Sequence, residues 1–201
     1  MSTTSSKVFI VDDDDAVRNS LRLLFKTVDI DAVTFDSGDA FLHEHDADWQ
    51  GCIVLDIRMP GTSGLEVQKI LSERDNTLPI IFITGHGDVP MAVEAMQKGA
   101  VDFIQKPFRD QELLDRIREA LATDEERREA QQHHAEVTAR LDRLTNRERE
   151  VFDLVVTGKP NKVIAYELGV SQRTVEIHRA RVMEKMQARS LADLVKMHMT
   201  A

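Results

Sequence analysis

Two rhythms of apolar and polar residues alternate through the amino-terminal half of the chain and a little beyond. Short apolar or alternating runs stand at Lys7 to Val11, Asp31 to Phe35, Cys52 to Asp56, Pro79 to Thr84 and Asp102 to Gln105. Between them apolar residues fall three and four apart, as at Val17, Leu21, Leu24 and Val28, or at Leu65, Ile70 and Leu71. The first rhythm is that of buried or half-buried strands and the second that of one helix face. Helix signals sit where they are needed. Ser37 is placed to cap a helix through His45, Ser63-Gly-Leu-Glu66 has capping-box spacing, and Gly99 stops a helix over Pro90 to Lys98. Strand and helix alternate through five strands, which predicts a doubly wound α/β domain around a five-stranded parallel sheet with right-handed crossovers.

The pattern then changes. From Arg109 onward Leu113, Leu114, Ile117 and Leu121 mark one helix face, and neither Gly nor Pro interrupts residues 109–156. The apolar stripe fades between 122 and 136, where Asp124-Glu-Glu-Arg-Arg-Glu129 is charged throughout. An exposed helical connector fits that composition, and the spacing gives little support to a coiled coil. Beyond it come short helices. Thr145-Asn-Arg-Glu148 is a capping box, Gly158-Lys-Pro-Asn161 a turn, Gly169 a sharp corner, and Ser171 and Ser190 are caps. The predicted organisation is an α/β domain over 6–122, a long helical linker over 123–141 and a small all-α domain over 142–201.

A chain of 201 residues has room for two modest domains. Net charge is −9, unevenly spread: residues 1–122 carry 22 acids and 12 bases, and residues 144–201 carry 7 acids and 10 bases. The first region therefore argues against nucleic acid, and the last permits it. No apolar run approaches the roughly 20 residues of a membrane span. Met1 to Ser6 lack a signal-peptide core. A single cysteine, Cys52, excludes an internal disulfide and fits a reducing cytoplasm; its place inside an apolar strand makes it core.

Parallel strands share one carboxyl edge, and open α/β sheets bind ligands there. That edge collects Asp12, Asp13, Asp56, Thr84 and Lys106. Carboxylates about 5 Å apart repel by roughly 3 kcal/mol per pair at an effective dielectric near 20, so such a cluster calls for a cation. Hard oxygen ligands in small number favour Mg²⁺ with several waters retained. The expected chemistry has Asp56 as nucleophile and phosphoryl acceptor. Asp13 and Asp56 hold the metal, with Asp12 acting through water, Lys106 supplies a fixed positive charge, and Thr84 donates its hydroxyl to the phosphoryl group. Taken singly, Thr84 is an ordinary strand end, Lys106 a solvated lysine and Asp14 and Asp15 helix caps. Their register at the strand termini is what points to function.

Val11-Asp-Asp-Asp14, Asp56-Ile-Arg-Met-Pro-Gly61, Ile83-Thr-Gly-His-Gly-Asp88 and Phe103-Ile-Gln-Lys-Pro-Phe108 resemble the receiver domain of bacterial response regulators. Thr84 to Met96 and Gly99 to Ile104 resemble its FixJ-like subgroup in particular. The resemblance spans residues 6–122. It implies a flavodoxin-like receiver, a sensor histidine kinase as phosphodonor and a backbone carbonyl of Arg58 in the metal shell. It also implies a shift of Thr84 and Phe103 on phosphorylation, and a homodimer as the result. His86 beside the site reads as a solvent-side loop residue rather than a base. The only catalysis expected is self-phosphorylation from a donor and self-dephosphorylation. A metal-dependent phosphohydrolase would use the same Asp56, but no cap insertion is evident. A DNA binder with a vestigial receiver is the other rival, and the complete acid set argues against it.

In the last region Ala165, Gly169 and Val175 have helix-turn-helix spacing: a small residue at the crossing, glycine at the turn, an apolar anchor on the second helix. Arg173, Thr174, His178, Arg179, Arg181 and Lys185 decorate the helix that follows. Leu144 to Glu150, Asn161 to Ala165 and Arg173 to Arg179 resemble the LuxR/NarL/FixJ-type DNA-binding domain, over about residues 141–197. On that resemblance Lys162, Thr174 and Arg179 are expected at phosphates, and Glu176, Ile177, His178 and Arg181 toward the groove. The whole reads as a transcription regulator with promoter DNA and RNA polymerase as partners and no membrane. Whether the switch acts through dimerisation or through release of the last helices is left open by the sequence.

Overall fold

The structure is a computed structural model that describes residues 6–85 and 89–200, so His86 lies outside the described residues. Its first unit, Met1–Arg127, is built on one five-stranded sheet. Strands β1 (Lys7–Val11), β2 (Asp31–Phe35), β3 (Gly51–Asp56), β4 (Ile80–Thr84) and β5 (Asp102–Gln105) are all parallel and lie in the order β2-β1-β3-β4-β5. Helices α1 (Asp15–Lys26), α2 (Gly38–Glu44), α3 (Gly64–Glu73) and α4 (Val89–Gln97) connect the strands, and α5 (Asp110–Leu141) follows β5. The expected fold class is the one observed.

The strand period of two divides the side chains between the sheet's faces. Val8 and Ile10 of β1 pack with Leu21 and Phe25 of α1 and Leu113 and Ile117 of α5. Phe9 and Val11 pack on the other face with Phe41 of α2, Val67 and Leu71 of α3 and Ala95 of α4. Central β3 is buried along its whole length, as a parallel strand covered on both faces must be. Each fully buried Phe here is worth about 1.5–3 kcal/mol of transfer free energy. Burial pushes the Cys52 thiol up to about 12, with the Asp124 charge adding to it, so this cysteine is an inert core residue.

Helix α5 is 32 residues long, and the division between the two units falls within it. Residues 131–136 are exposed, but the flanking parts are not uniformly so. Asp124 is buried: its carboxylate accepts the Gly51 N–H at 3.0 Å and pairs with Arg127 at 2.6 Å. Val137 and Leu141 are buried in the core of the second unit. The connector is therefore exposed only in part, because a polar residue in its first turns satisfies the start of β3 and its last apolar residues belong to the helices beyond.

The second unit, Arg128–Ala201, contains α6 (Asn146–Val156), α7 (Asn161–Leu168), α8 (Gln172–Lys185) and α9 (Leu191–Thr200). Thr145 and Glu148 form the expected capping box on α6. Gly169 ends α7 in the left-handed region at φ 63°, and the Val170 N–H reaches back to the Ala165 carbonyl at 3.0 Å. Val151 and Phe152 of α6, Ile164 of α7, Val175 and Val182 of α8 and Leu194 of α9 share one core.

Glu148 adds a buried polar tie. Its carboxylate accepts Lys185 Nζ of α8 at 2.5 Å and the Thr145 N–H at 2.9 Å, and these bonds hold its pKa down at about 2. The carboxyl is depressed in the folded state, so its contribution is complete above the ordinary glutamate value of about 4.3. It is lost as pH falls from there toward about 2. Glu148→Gln should lower the stability of this unit by about 1–2 kcal/mol near neutral pH. A pH series of denaturant midpoints on both proteins should show the two curves converging in acid.

Candidate functional site

The parallel register brings four strand ends to one edge. Val11 lies opposite Phe35 and Leu55, Asp56 opposite Ile83, and Thr84 opposite Gln105. Asp12 follows β1, Asp56 ends β3, Thr84 ends β4, and Lys106 follows β5. Beyond the last register pair the Lys106 N–H donates to the Thr84 carbonyl at 2.8 Å, which fixes where the lysine side chain starts. The Lys106–Pro107 peptide is cis.

From there the Lys106 ammonium bridges two carboxylates. Nζ lies 2.6 Å from Asp12 Oδ2 and 3.3 Å from Asp56 Oδ1. Asp12 is 1% exposed and Asp56 6% exposed, so both acids are held away from water with one cation between them. The other oxygens are also engaged: Asp56 Oδ2 accepts the Arg58 N–H at 3.0 Å, and Asp12 Oδ1 accepts the Asp14 N–H at 2.9 Å.

These contacts set opposing tendencies. Burial pushes the Asp56 carboxyl up, and the Asp12 charge adds to it; Lys106 and the Arg58 N–H pull it part of the way back. For Lys106 burial favours the neutral amine. The bond and charge of Asp12, followed by those of Asp56, outweigh that, and its pKa is raised on balance. The site is a pair of crowded carboxylates that one lysine does not fully neutralise.

That imbalance fits a second cation. The donors are hard oxygens, and Mg²⁺ binds with one or two carboxylates while keeping waters or substrate oxygens. Asp12 and Asp56 are two buried carboxylates that could serve as such donors. Among the described residues no group of three or more His, Cys, Asp or Glu side chains is gathered as a metal cluster. The sequence reading gathers Asp13 with Asp12 and Asp56. In the structure Asp13 is exposed while Asp12 is buried, because successive residues leaving a strand point to opposite sides.

The remaining site residues fall as follows. Thr84 is 1% exposed. Phe103 is half-buried and packs against the core face shared by α2, α3 and α4. The Arg58 side chain is exposed. Three supporting residues have no sequence signature. A Cβ on Gly64 would stand 2.2 Å from the Asp56 carbonyl, so only glycine lets α3 begin against the end of β3. Asp39 of α2 accepts the Thr62 hydroxyl at 2.6 Å and braces the loop after Asp56. Arg18 of α1 donates to the Asp12 carbonyl.

In the second unit Val175, Val182 and Met186 face the core, while Arg173, Glu176, Ile177 and Arg181 are exposed. Lys162 is exposed in the first turn of α7. Ser171 caps α8 through the Thr174 N–H, and the two hydroxyls lie 2.8 Å apart. Arg179 is half-buried and donates to Asn161 at 3.0 Å, joining α8 to α7. His178 is half-buried, with Nδ1 turned inward and without a partner among the described residues. Lys185, counted among the outward basic residues by its position, is turned inward onto Glu148.

Comparison with known proteins matches both units. Residues 8–118 match the response regulator receiver domain, and residues 142–198 match the bacterial regulatory proteins of the luxR family. Nodulation protein W of Bradyrhizobium diazoefficiens is 49% identical over 199 residues, covering 99% of this chain and 88% of that protein. Transcriptional regulatory protein FixJ of Azorhizobium caulinodans is 46% identical, covering 98% and 93%. Among solved structures, response regulator StyR aligns with a TM-score of 0.90 at 43% identity, over 98% of this chain and all of that one. Full-length FixJ from B. japonicum aligns with a TM-score of 0.61 at 41% identity, over 98% of both chains.

Proposed function

This chain belongs to the FixJ-like response regulators, two-component transcription regulators that join a receiver to a LuxR-type DNA-binding domain, and from that membership we propose that phosphorylation of Asp56 controls its self-association and its binding to promoter DNA. The observation that carries the proposal is the buried Asp12–Lys106–Asp56 arrangement at the carboxyl edge of the sheet. The proposed boundaries are a receiver over 6–122, a linker over 123–141 and a DNA-binding domain over 142–201.

In the proposed reaction an Asp56 carboxylate oxygen forms a bond to phosphorus as the donor's bond breaks. The donor is a phosphohistidine of a sensor kinase, whose imidazole leaves with the bonding electrons. Asp56 reacts as the carboxylate, which the nearby ammonium favours against the effect of burial. Lys106 stabilises charge on the phosphoryl oxygens, and the Thr84 hydroxyl donates to the product phosphate. Asp12, Asp13, Asp56 and the Arg58 carbonyl would hold Mg²⁺, which would supply charge neutralisation at those same oxygens. The product is an aspartyl phosphate that this chain itself hydrolyses; no other substrate is turned over.

Replacing a carboxylate by a phosphate of charge near −2 changes local charge by only about one unit, so the signal lies in new contacts. Thr84 and Phe103 move with them and reshape the surface of α4 and β5. That surface already exposes apolar side chains: Val89 is 76% exposed, Val93 47%, Met96 45% and Val101 38%. Such a cluster supports an association face for a second copy. In the dimer Lys162, Thr174 and Arg179 meet phosphates, while Glu176, Ile177, His178 and Arg181 approach base edges. RNA polymerase is the further partner proposed at the promoter, with the sign of regulation left open. No helix among the described residues is long and apolar enough to cross a membrane. We assign the cytoplasm as the site of action from the DNA-binding role.

Selection from a random pool of DNA duplexes tests the DNA half of the proposal. Phosphorylated protein is expected to enrich paired half-sites about one helical turn apart, and to bind them in a salt-dependent way. Equal affinity of phosphorylated and unphosphorylated protein for the selected sites would overturn the control mechanism.

A further inference from the structure

We propose that Arg18 is a positioning residue for phosphoryl transfer: its guanidinium fixes the main chain of Asp12 and so aims the carboxylate that Lys106 and the metal share. The inference rests on the reading of Asp56 as phosphoryl acceptor. Arg18 lies in the first turn of α1, and its Nη1 donates to the Asp12 carbonyl at 2.5 Å. Its Nη2 pairs with Asp15. On the opposite side of the same residue, the Asp12 N–H donates to the Phe35 carbonyl at 3.2 Å. Both main-chain groups of Asp12 are thus engaged as β1 ends. Its side chain is oriented in turn by the Asp14 N–H at 2.9 Å and Lys106 Nζ at 2.6 Å.

Two readings of Arg18 compete, and exposure separates them. As an ordinary i,i+3 partner of Asp15 it would do little, because Asp15 is 86% exposed and surface pairs contribute little. The Arg18 side chain is itself only 13% exposed. Its sheltered contact is the one to Asp12, and that contact leads straight to the acid site. The guanidinium is permanently charged and planar, so it offers a fixed fork that a lysine lacks. It also places positive charge behind the run Asp12–Asp15 without occupying a carboxylate oxygen that a metal would use.

Groups that orient a metal ligand cost about 10–100-fold in metal affinity when removed. Full-length wild type, Arg18→Ala, Arg18→Lys and Asp15→Ala are titrated with Mg²⁺ alone, following the metal-induced rise in thermal midpoint. Phosphorylation by acetyl phosphate is then followed across the same Mg²⁺ range. Arg18→Ala is expected to raise the half-saturating Mg²⁺ about 10-fold in both measurements, with a much smaller change in rate at saturating Mg²⁺. Arg18→Lys should recover part of the loss, and Asp15→Ala should stay near wild type.

Wild-type Mg²⁺ affinity in Arg18→Ala overturns the positioning role. Should Arg18→Ala fail to fold, Arg18→Lys decides: wild-type affinity overturns the role, and weakened affinity supports it. If wild type itself neither binds Mg²⁺ nor takes up phosphate, the acceptor reading fails and this inference falls with it. If wild type binds Mg²⁺ and takes up phosphate and the Arg18 variants match it, the acceptor reading stands and the positioning role falls.

Discussion

Asp56→Asn is expected to take up no phosphoryl group from acetyl phosphate and to be more stable than wild type near neutral pH. The loss of uptake is complete because the amide is not a nucleophile and no other described carboxylate has Asp56's place between Lys106 and the Arg58 N–H. The gain in stability comes from the same crowding. The Asp56 carboxyl is raised in the folded state, by burial first and by the Asp12 charge after it. A group whose folded pKa is raised favours folding most when protonated, and that contribution is lost as pH rises through its folded value. At neutral pH wild type therefore carries a strained carboxylate that the amide removes. Thermal midpoints measured across pH should show the variant ahead above the carboxylate range, with the difference vanishing in acid. A stability cost kept at one residue, and removed together with its reactivity, is the pattern of a functional site.

Lys106→Ala should slow phosphorylation by about 10²–10³-fold, the usual effect of removing one preorganised charge from a transition state. Its second effect is on folding. The ammonium bridges Asp12 and Asp56, so its loss leaves two buried acids facing each other. Breaking a buried pair costs about 3–5 kcal/mol, and the 22% exposure of the Lys106 side chain reduces that to about 2 kcal/mol. Because the Lys106 pKa is raised, its contribution is complete below the ordinary lysine range and disappears as pH climbs beyond it. Mg²⁺ should restore part of the variant's stability by binding the folded state alone, and little of its rate. Denaturant midpoints with and without Mg²⁺, beside phosphorylation rates, check both effects.

The residues that proved legible in the sequence share one property: their placement follows from strand order. Asp56, Thr84 and Lys106 each stand at or just past the end of an apolar run, and parallel strands have no choice but to bring such ends together. The capping boxes at Ser63 and Thr145 were equally readable, because a cap is a local device with a fixed spacing. What escaped were polar residues whose partners come from another element. Arg18, Asp39 and Asp124 sit on helices as ordinary charged positions, and only packing brings them to Asp12, Thr62 and Gly51. Lys185 is of the same kind: it stands on a basic helix, and the approach of α6 to α8 turns it onto Glu148. Asp13 is exposed while Asp12 beside it is buried, a difference in surroundings that adjacency in sequence does not reveal.

The most direct test of the central claim is intact mass read together with molar mass in solution. Wild type and Asp56→Asn are each incubated with and without acetyl phosphate and Mg²⁺. Wild type should gain one phosphoryl group and move toward a dimer only when both reagents are present, and Asp56→Asn should do neither. An unmodified wild type in the presence of bound Mg²⁺, or an equal gain of mass in Asp56→Asn, would contradict the account.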